Sequence, residues 1–100
     1  MNTRRLFIDV QNPDTRMLNE AAEVLRSGEL VAFPTETVYG LGADALNPDA
    51  CAQIFKVKGR PQDNPLIAHV VSKEMADSLV RTWTPQAEIC ARRFWPGPLT

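Results

Sequence analysis

Apolar residues recur along the chain with two different periods. Leu6 to Val10 mixes β-branched and aromatic residues and stops at Gln11-Asn12-Pro13-Asp14, where proline fixes φ and Asn and Asp satisfy local backbone groups. This predicts a short strand followed by a turn. Leu18, Ala21, Ala22 and Leu25 then fall at i, i+3, i+4 and i+7, with Arg16, Glu20, Glu23 and Arg26 on the opposite side. The pattern is that of an amphipathic helix, and Gly28 supplies the left-handed residue that ends it. Leu30 to Phe33 is a short apolar run closed by Pro34, which reads as a buried strand.

Thr35 to Asp44 has neither period and predicts a loop. Asn47 as N-cap and Pro48 at the first helical position start a second helix, with Cys51, Ile54 and Phe55 as its inward stripe and Lys56 to Lys58 as its end. Gly59 to Pro65 contains one glycine and two prolines, so it forms a constrained loop. Leu66 to Val71 predicts another strand, and Ser72 caps a helix through about Arg81. Thr84-Pro85 opens a last helix with Ala87, Cys90, Ala91 and Phe94 on one face, terminated by Trp95-Pro96-Gly97-Pro98. Met17, Met75 and Phe94 are further core candidates. Strands separated by helices are usually crossover-connected, so the order predicts an α/β fold with helices packed on a twisted, at least partly parallel sheet.

Composition narrows the function classes. One hundred residues, 44% hydrophobic and 23% charged, describe a globular chain of one domain at most. No apolar run approaches the roughly 20 residues of a membrane span, and Leu6-Phe7-Ile8 is too short for a signal-peptide core. The expectation is a cytoplasmic protein with no membrane partner. Eleven Lys and Arg against twelve Asp and Glu, with a net charge of -1, leave no global basic field, although a local basic patch stays open. Cys51 and Cys90 lack a CxxC partner or a nearby His, so they are expected as buried, reduced thiols and no metal site is implied.

Two loops have the composition of a ligand site. In the first, Thr35-Glu36-Thr37-Val38-Tyr39-Gly40-Leu41-Gly42-Ala43-Asp44-Ala45, the glycines admit close backbone approach and the threonine hydroxyls and the Tyr39 phenol offer donors and acceptors. An ordinary strand-to-helix connection has the same composition. Gly40 to Ala45 also matches the dinucleotide fingerprint GxGxxA, but six residues separate Pro34 from Gly40 and the next helix waits for Pro48, so the context is wrong. The second loop carries Lys56, Lys58 and Arg60 followed by Asn64. Such a cation cluster suits a polyphosphate, and it equally suits the negative end of a helix dipole. His69, the only histidine, interrupts an apolar run and fits either a ligand contact or a half-buried ring with one satisfied hydrogen bond.

Three separated motifs in one order carry a resemblance. Phe33-Pro34-Thr35-Glu36-Thr37-Val38-Tyr39-Gly40-Leu41-Gly42, then Lys58-Gly59-Arg60-Pro61 with Asn64-Pro65-Leu66, then Trp95-Pro96-Gly97-Pro98-Leu99-Thr100 resemble the YrdC-like family, the threonylcarbamoyl-AMP synthases. Lys58-Gly59-Arg60 corresponds to that family's KxR signature. The resemblance implies a twisted mixed sheet flanked by helices, with a cleft for ATP and L-threonine. It implies formation of threonylcarbamoyl-AMP and pyrophosphate from L-threonine, bicarbonate and ATP, with Mg2+ accompanying the nucleotide. The product would serve the tRNA threonylcarbamoyl transferase machinery at an adenosine beside the anticodon. By the same resemblance Thr37 and His69 contact L-threonine, Lys58, Arg60 and Asn64 face ATP, and Lys58 and Arg60 are the catalytic cations.

Other classes remain in view on this reading. The resemblance also implies a basic concave face, which makes RNA binding an alternative, weakened by the balanced charge and the lack of an aromatic platform. The carbamoyl-adenylate-forming domain of hydrogenase-maturation carbamoyltransferases is a related alternative. The family's second nucleotide motif, an SxN triplet, has no counterpart in this sequence. Residues 1–100 are therefore expected to be the N-terminal part of a YrdC-like domain, truncated at its C-terminal end, and catalytically incomplete if alone.

Overall fold

The computed structural model describes residues 2–61 and 65–100. They form two compact units, Met1–Asn64 and Pro65–Thr100. In the first, helix α1 (Thr15–Arg26) begins where the Asp14 side chain accepts from the Arg16 amide at 2.9 Å. It ends in a left-handed Gly28 at φ 89, with Gly28 N–H donating to Leu25 O at 3.0 Å and Glu29 N–H to Val24 O at 3.1 Å. Strands β1 (Val31–Phe33) and β2 (Gly40–Gly42) pair antiparallel with Val31 opposite Gly42 and Phe33 opposite Gly40. Helix α2 (Pro48–Lys58) starts as the N-cap rule requires, Asn47 accepting from Ala50 N–H at 3.1 Å.

The core of this unit lies on α2. Ala50 is 1% exposed, and Ile54 and Phe55 are buried beside it; Ile54 and Phe55 belong to the inward stripe read from the sequence, while Ala50 takes the place expected of Cys51, which is half-buried. Burying side chains of the Ile and Phe type contributes about 1.5 to 3 kcal/mol each. The far end of α2 is closed by the same pair of bonds as α1: Gly59 adopts φ 67, its N–H reaches Lys56 O at 3.4 Å, and Arg60 N–H donates to Phe55 O at 2.9 Å.

The second unit contains α3 (Lys73–Leu79), capped by Ser72, and α4 (Pro85–Phe94), capped by Thr84. Their buried positions are small: Ala76 and Ala91. Trp83 and Trp95 lie with ring centroids 6.0 Å apart, and the Trp95 indole donates to Leu99 O at 3.1 Å. The Trp95–Pro96 peptide bond is cis.

All four predicted helices form, and the α/β class stands. The sheet differs from expectation. Among the described residues it has two antiparallel strands, and Leu6 to Val10 and Leu66 to Val71 form no ladder. β-Branched composition suits a segment to a sheet, but a strand exists only where another backbone takes up its N–H and C=O groups. These segments lack that partner, and Val71 is 94% exposed. Conversely, β2 lies inside the stretch read as a loop. Its glycines hide the strand from any hydrophobic count, because the Phe33 ring covers them from across the ladder: a Cβ on Gly40 or Gly42 would lie 3.0 or 2.9 Å from that ring. The same contact gives these glycines a packing role and leaves the dinucleotide fingerprint without its context.

Several core expectations are also revised. Phe94 is 53% exposed, Met75 and Cys90 are exposed, and Met17 and Cys51 are half-buried. In α3 and α4 the buried positions belong to alanines, Ala76 and Ala91, and the larger side chains flank them. Helix α3 stops at Leu79, before Arg81, because Val80 turns to an extended conformation.

Gly59 offers a direct test of this architecture. A Cβ there would meet nothing within 4 Å, so the cost of substitution is purely that of the left-handed backbone. Gly59→Ala should destabilise the protein by about 1 to 2 kcal/mol in chemical denaturation. An unchanged midpoint would show that residue 59 does not hold a positive φ in solution.

Candidate functional site

The loop between β1 and β2 is organised by one oxygen. Thr35 Oγ1 accepts from Thr37 N–H at 3.2 Å and donates to Val38 O. The Thr37 hydroxyl lies 3.5 Å from the same oxygen. Thr37 itself is exposed, presented on a short turn at the mouth of the two-stranded sheet. In the sequence Thr35 is legible only as one of the loop's hydroxyls, and its place two residues before Thr37 is a turn signal.

Lys56 and Lys58 occupy the last turn of α2, and Arg60 follows immediately after the left-handed glycine. All three are exposed, and among the described residues no carboxylate pairs with them. Cations at a helix C-terminus are favoured by the dipole, so their concentration here is cheap to maintain. The structure therefore brings Lys58 and Arg60 together on one turn, with Thr37 in the same unit. Asn64, expected to face ATP, lies outside the described residues.

His69 belongs to the second unit. It is exposed, where a half-buried ring was one of the two expectations, and its Nδ1 lies 3.3 Å from Ile67 O. A carbonyl can only accept, so Nδ1 carries the proton in this contact and a neutral ring keeps Nε2 as its acceptor. His69 lines a concavity of about 800 Å3 together with Trp83, Glu88, Arg92 and Trp95.

Glu88 organises that concavity. Its carboxylate accepts from Lys73 Nζ at 2.9 Å, from the Trp83 indole N–H, and from Arg92 Nε at 3.1 Å. Lys73 also lies 5.7 Å from the Trp83 ring centroid. The Lys73 hydrogen bond, followed by that of Trp83, pulls the Glu88 carboxyl from 4.5 down to about 2, and Glu88 raises Lys73 in return. Only the Glu88–Arg92 pair, at i and i+4, was legible in the sequence. The Lys73 and Trp83 contacts cross between segments and leave no periodic trace.

The fold and these motifs define a class. The sequence profile of the Sua5/YciO/YrdC family, described as telomere recombination, matches residues 23–100, and the chain belongs to this family. Among curated relatives, the chain is 59% identical over 80 residues to a threonylcarbamoyl-AMP synthase of Pyrococcus abyssi, covering 80% of this chain and 24% of that protein. It is 47% identical over 103 residues to the threonylcarbamoyl-AMP synthase of Bacillus subtilis, covering all of this chain and 30% of that protein. Of solved structures, P. abyssi Sua5 complexed with L-threonine superposes with a TM-score of 0.81 at 52% identity, over 87% of this chain and 26% of that one. A variant of the same protein gives 0.82 at 51% identity, over 88% and 27%. The chain thus spans about a quarter to a third of the length of these relatives.

Glu88 makes a prediction about pH. Its folded-state pKa lies below its ordinary value, so its contribution to stability is complete above about 4.5 and is lost as the pH falls towards about 2. Thermal melts followed by tryptophan fluorescence should fall through this window, and Glu88→Gln should flatten that part of the profile. Equal acid sensitivity in both proteins would remove Glu88 from the account.

Proposed function

We propose that this chain carries part of the cleft of a threonylcarbamoyl-AMP synthase, and that the intact protein converts L-threonine, bicarbonate and ATP into threonylcarbamoyl-AMP and pyrophosphate. The observation that carries this reading is the 59% identity to an enzyme of that name across the segment that holds Thr37, Lys58, Arg60 and His69. The L-threonine complex of a 52% identical structure supports the amino acid as ligand.

The residues suit the chemistry. The amino nitrogen of threonine and bicarbonate form a carbamate and release water. A carbamate oxygen then attacks the α-phosphorus of ATP, the bond to the bridging oxygen breaks, and pyrophosphate leaves with the electron pair. Negative charge accumulates on phosphate oxygens as this happens, and preorganised cations lower the barrier. Lys58 and Arg60 fill that role, Arg60 through a guanidinium that can grip two oxygens and Lys58 as a compact charge. Asn64 is assigned to the nucleotide, and Thr37 and His69 to L-threonine.

Among the described residues no group of three His, Cys, Asp or Glu side chains is arranged to hold a metal ion. On this reading Mg2+ arrives on the phosphate oxygens of ATP, as Mg2+ commonly does. The product is an activated threonylcarbamoyl group, which we assign to a tRNA threonylcarbamoyl transferase machinery and an adenosine beside the anticodon. No helix among the described residues is long and apolar enough to cross a membrane, and use of ATP accords with a cytoplasmic setting.

Arg60→Ala in the intact protein should reduce threonine- and bicarbonate-dependent pyrophosphate release by roughly 10- to 1000-fold, the scale of one preorganised charge contact. Undiminished release would sink the assignment of Arg60.

A further inference from the structure

We infer that Thr35 is the positioning residue for Thr37: its hydroxyl sets the turn that aims the Thr37 side chain at the amino-acid substrate. The inference rests on the reading above that Thr37 contacts L-threonine.

The loop has few other means of holding a shape. Residues 34–39 are exposed and lie outside the ladder of β1 and β2. Apolar packing contributes little there, since Val38 is 73% exposed. What remains is local hydrogen bonding, and the bonds around Thr37 converge on Thr35 Oγ1.

Counting protons fixes the polarity of this cluster. A carbonyl only accepts, so the single hydroxyl hydrogen of Thr35 is committed to Val38 O. The Thr37 amide only donates and takes one lone pair of Thr35 Oγ1 at 3.2 Å. At 3.5 Å, the remaining contact between the two hydroxyls therefore has Thr37 donating, weakly, to the second lone pair. The Thr37 lone pairs are left facing outwards, ready to accept from a ligand N–H or O–H. An amino acid with a hydroxyl side chain offers both kinds of donor. In this arrangement Thr35 touches no substrate and acts entirely through its neighbour.

The test compares Thr35→Val, which keeps the shape and removes the hydroxyl, with Thr35→Ser, which keeps the hydroxyl, and with Thr37→Val. Each is made in the intact protein. Pyrophosphate release is measured against L-threonine and against ATP, with L-threonine binding by calorimetry alongside. Thr35→Val should raise the KM and Kd for L-threonine by about 3- to 10-fold, the scale of one lost hydrogen bond. It should leave kcat and the KM for ATP within about 2-fold, and Thr35→Ser should bind L-threonine like the parent. If Thr37→Val weakens L-threonine and Thr35→Val does not, the positioning role is overturned and the assignment of Thr37 stands. If neither weakens it, the assignment of Thr37 fails first. Equal loss in Thr35→Ser and Thr35→Val would overturn the role of the hydroxyl, as would a loss in Thr35→Val shared evenly among L-threonine, ATP and kcat.

Discussion

The hydrogen bond from Arg60 N–H to Phe55 O ties the cationic loop of this protein to its core. Phe55 is a buried anchor of α2, and Arg60 lies just beyond the helix, with Gly59 between it and Lys58. A bond between them closes only if the residue in between turns left-handed, and Gly59 does so at φ 67. The glycine of the Lys58-Gly59-Arg60 motif is thus a geometrical requirement as much as its two cations are. Without that turn, Lys58 and Arg60 would project from a fraying end, and each would lose side-chain and backbone entropy anew when a phosphate bound.

The Thr35 turn follows the same logic. Neither loop has enough apolar contact to be held by packing, so each is held by hydrogen bonds closed over a short span, backbone to backbone at Arg60 and through the Thr35 hydroxyl in the other. Such bonds contribute little to global stability, about 0.5 to 1.5 kcal/mol each. Their value lies in direction: they fix where a functional group points while leaving it exposed to a ligand. The Phe33 ring across Gly40 and Gly42 is the complementary device, since it holds the two strands in register directly beneath the Thr35 turn.

What the sequence made legible follows from the range of each interaction. Helices were readable because their caps and stripes lie within a few residues: Asp14, Asn47, Ser72 and Thr84 all accept from the amides that local rules assign. Strands were readable only in part: Leu30 to Phe33 contains β1, but Leu6 to Val10 has the composition of a strand without a partner, and Gly40 to Gly42 has a partner without the composition. The site shows the same division. The cations of α2 and Arg60 could be placed from Asn47, Pro48 and Gly59 alone. The Glu88 cluster could not, because Lys73, Trp83 and Glu88 meet only after two helices have formed. Thr35 lay in plain view, and its role became visible only when its hydrogen bonds could be counted.

The two groups of cations are also arranged in opposite ways, and the contrast bears on function. Lys73 and Arg92 are both committed to Glu88, an arrangement that satisfies charge locally and leaves little for a ligand. Lys56, Lys58 and Arg60 crowd one helix end with no carboxylate pairing them among the described residues. In a chain whose charges nearly cancel overall, this separation is a local choice and not a consequence of composition. Like charges at one helix end repel, and solvent screens that repulsion only in part. The helix dipole offsets part of that repulsion, and a bound polyanion would relieve the rest. This arrangement suits the nucleotide triphosphate site proposed above, and the glycine turn at residue 59 fixes Arg60 within it.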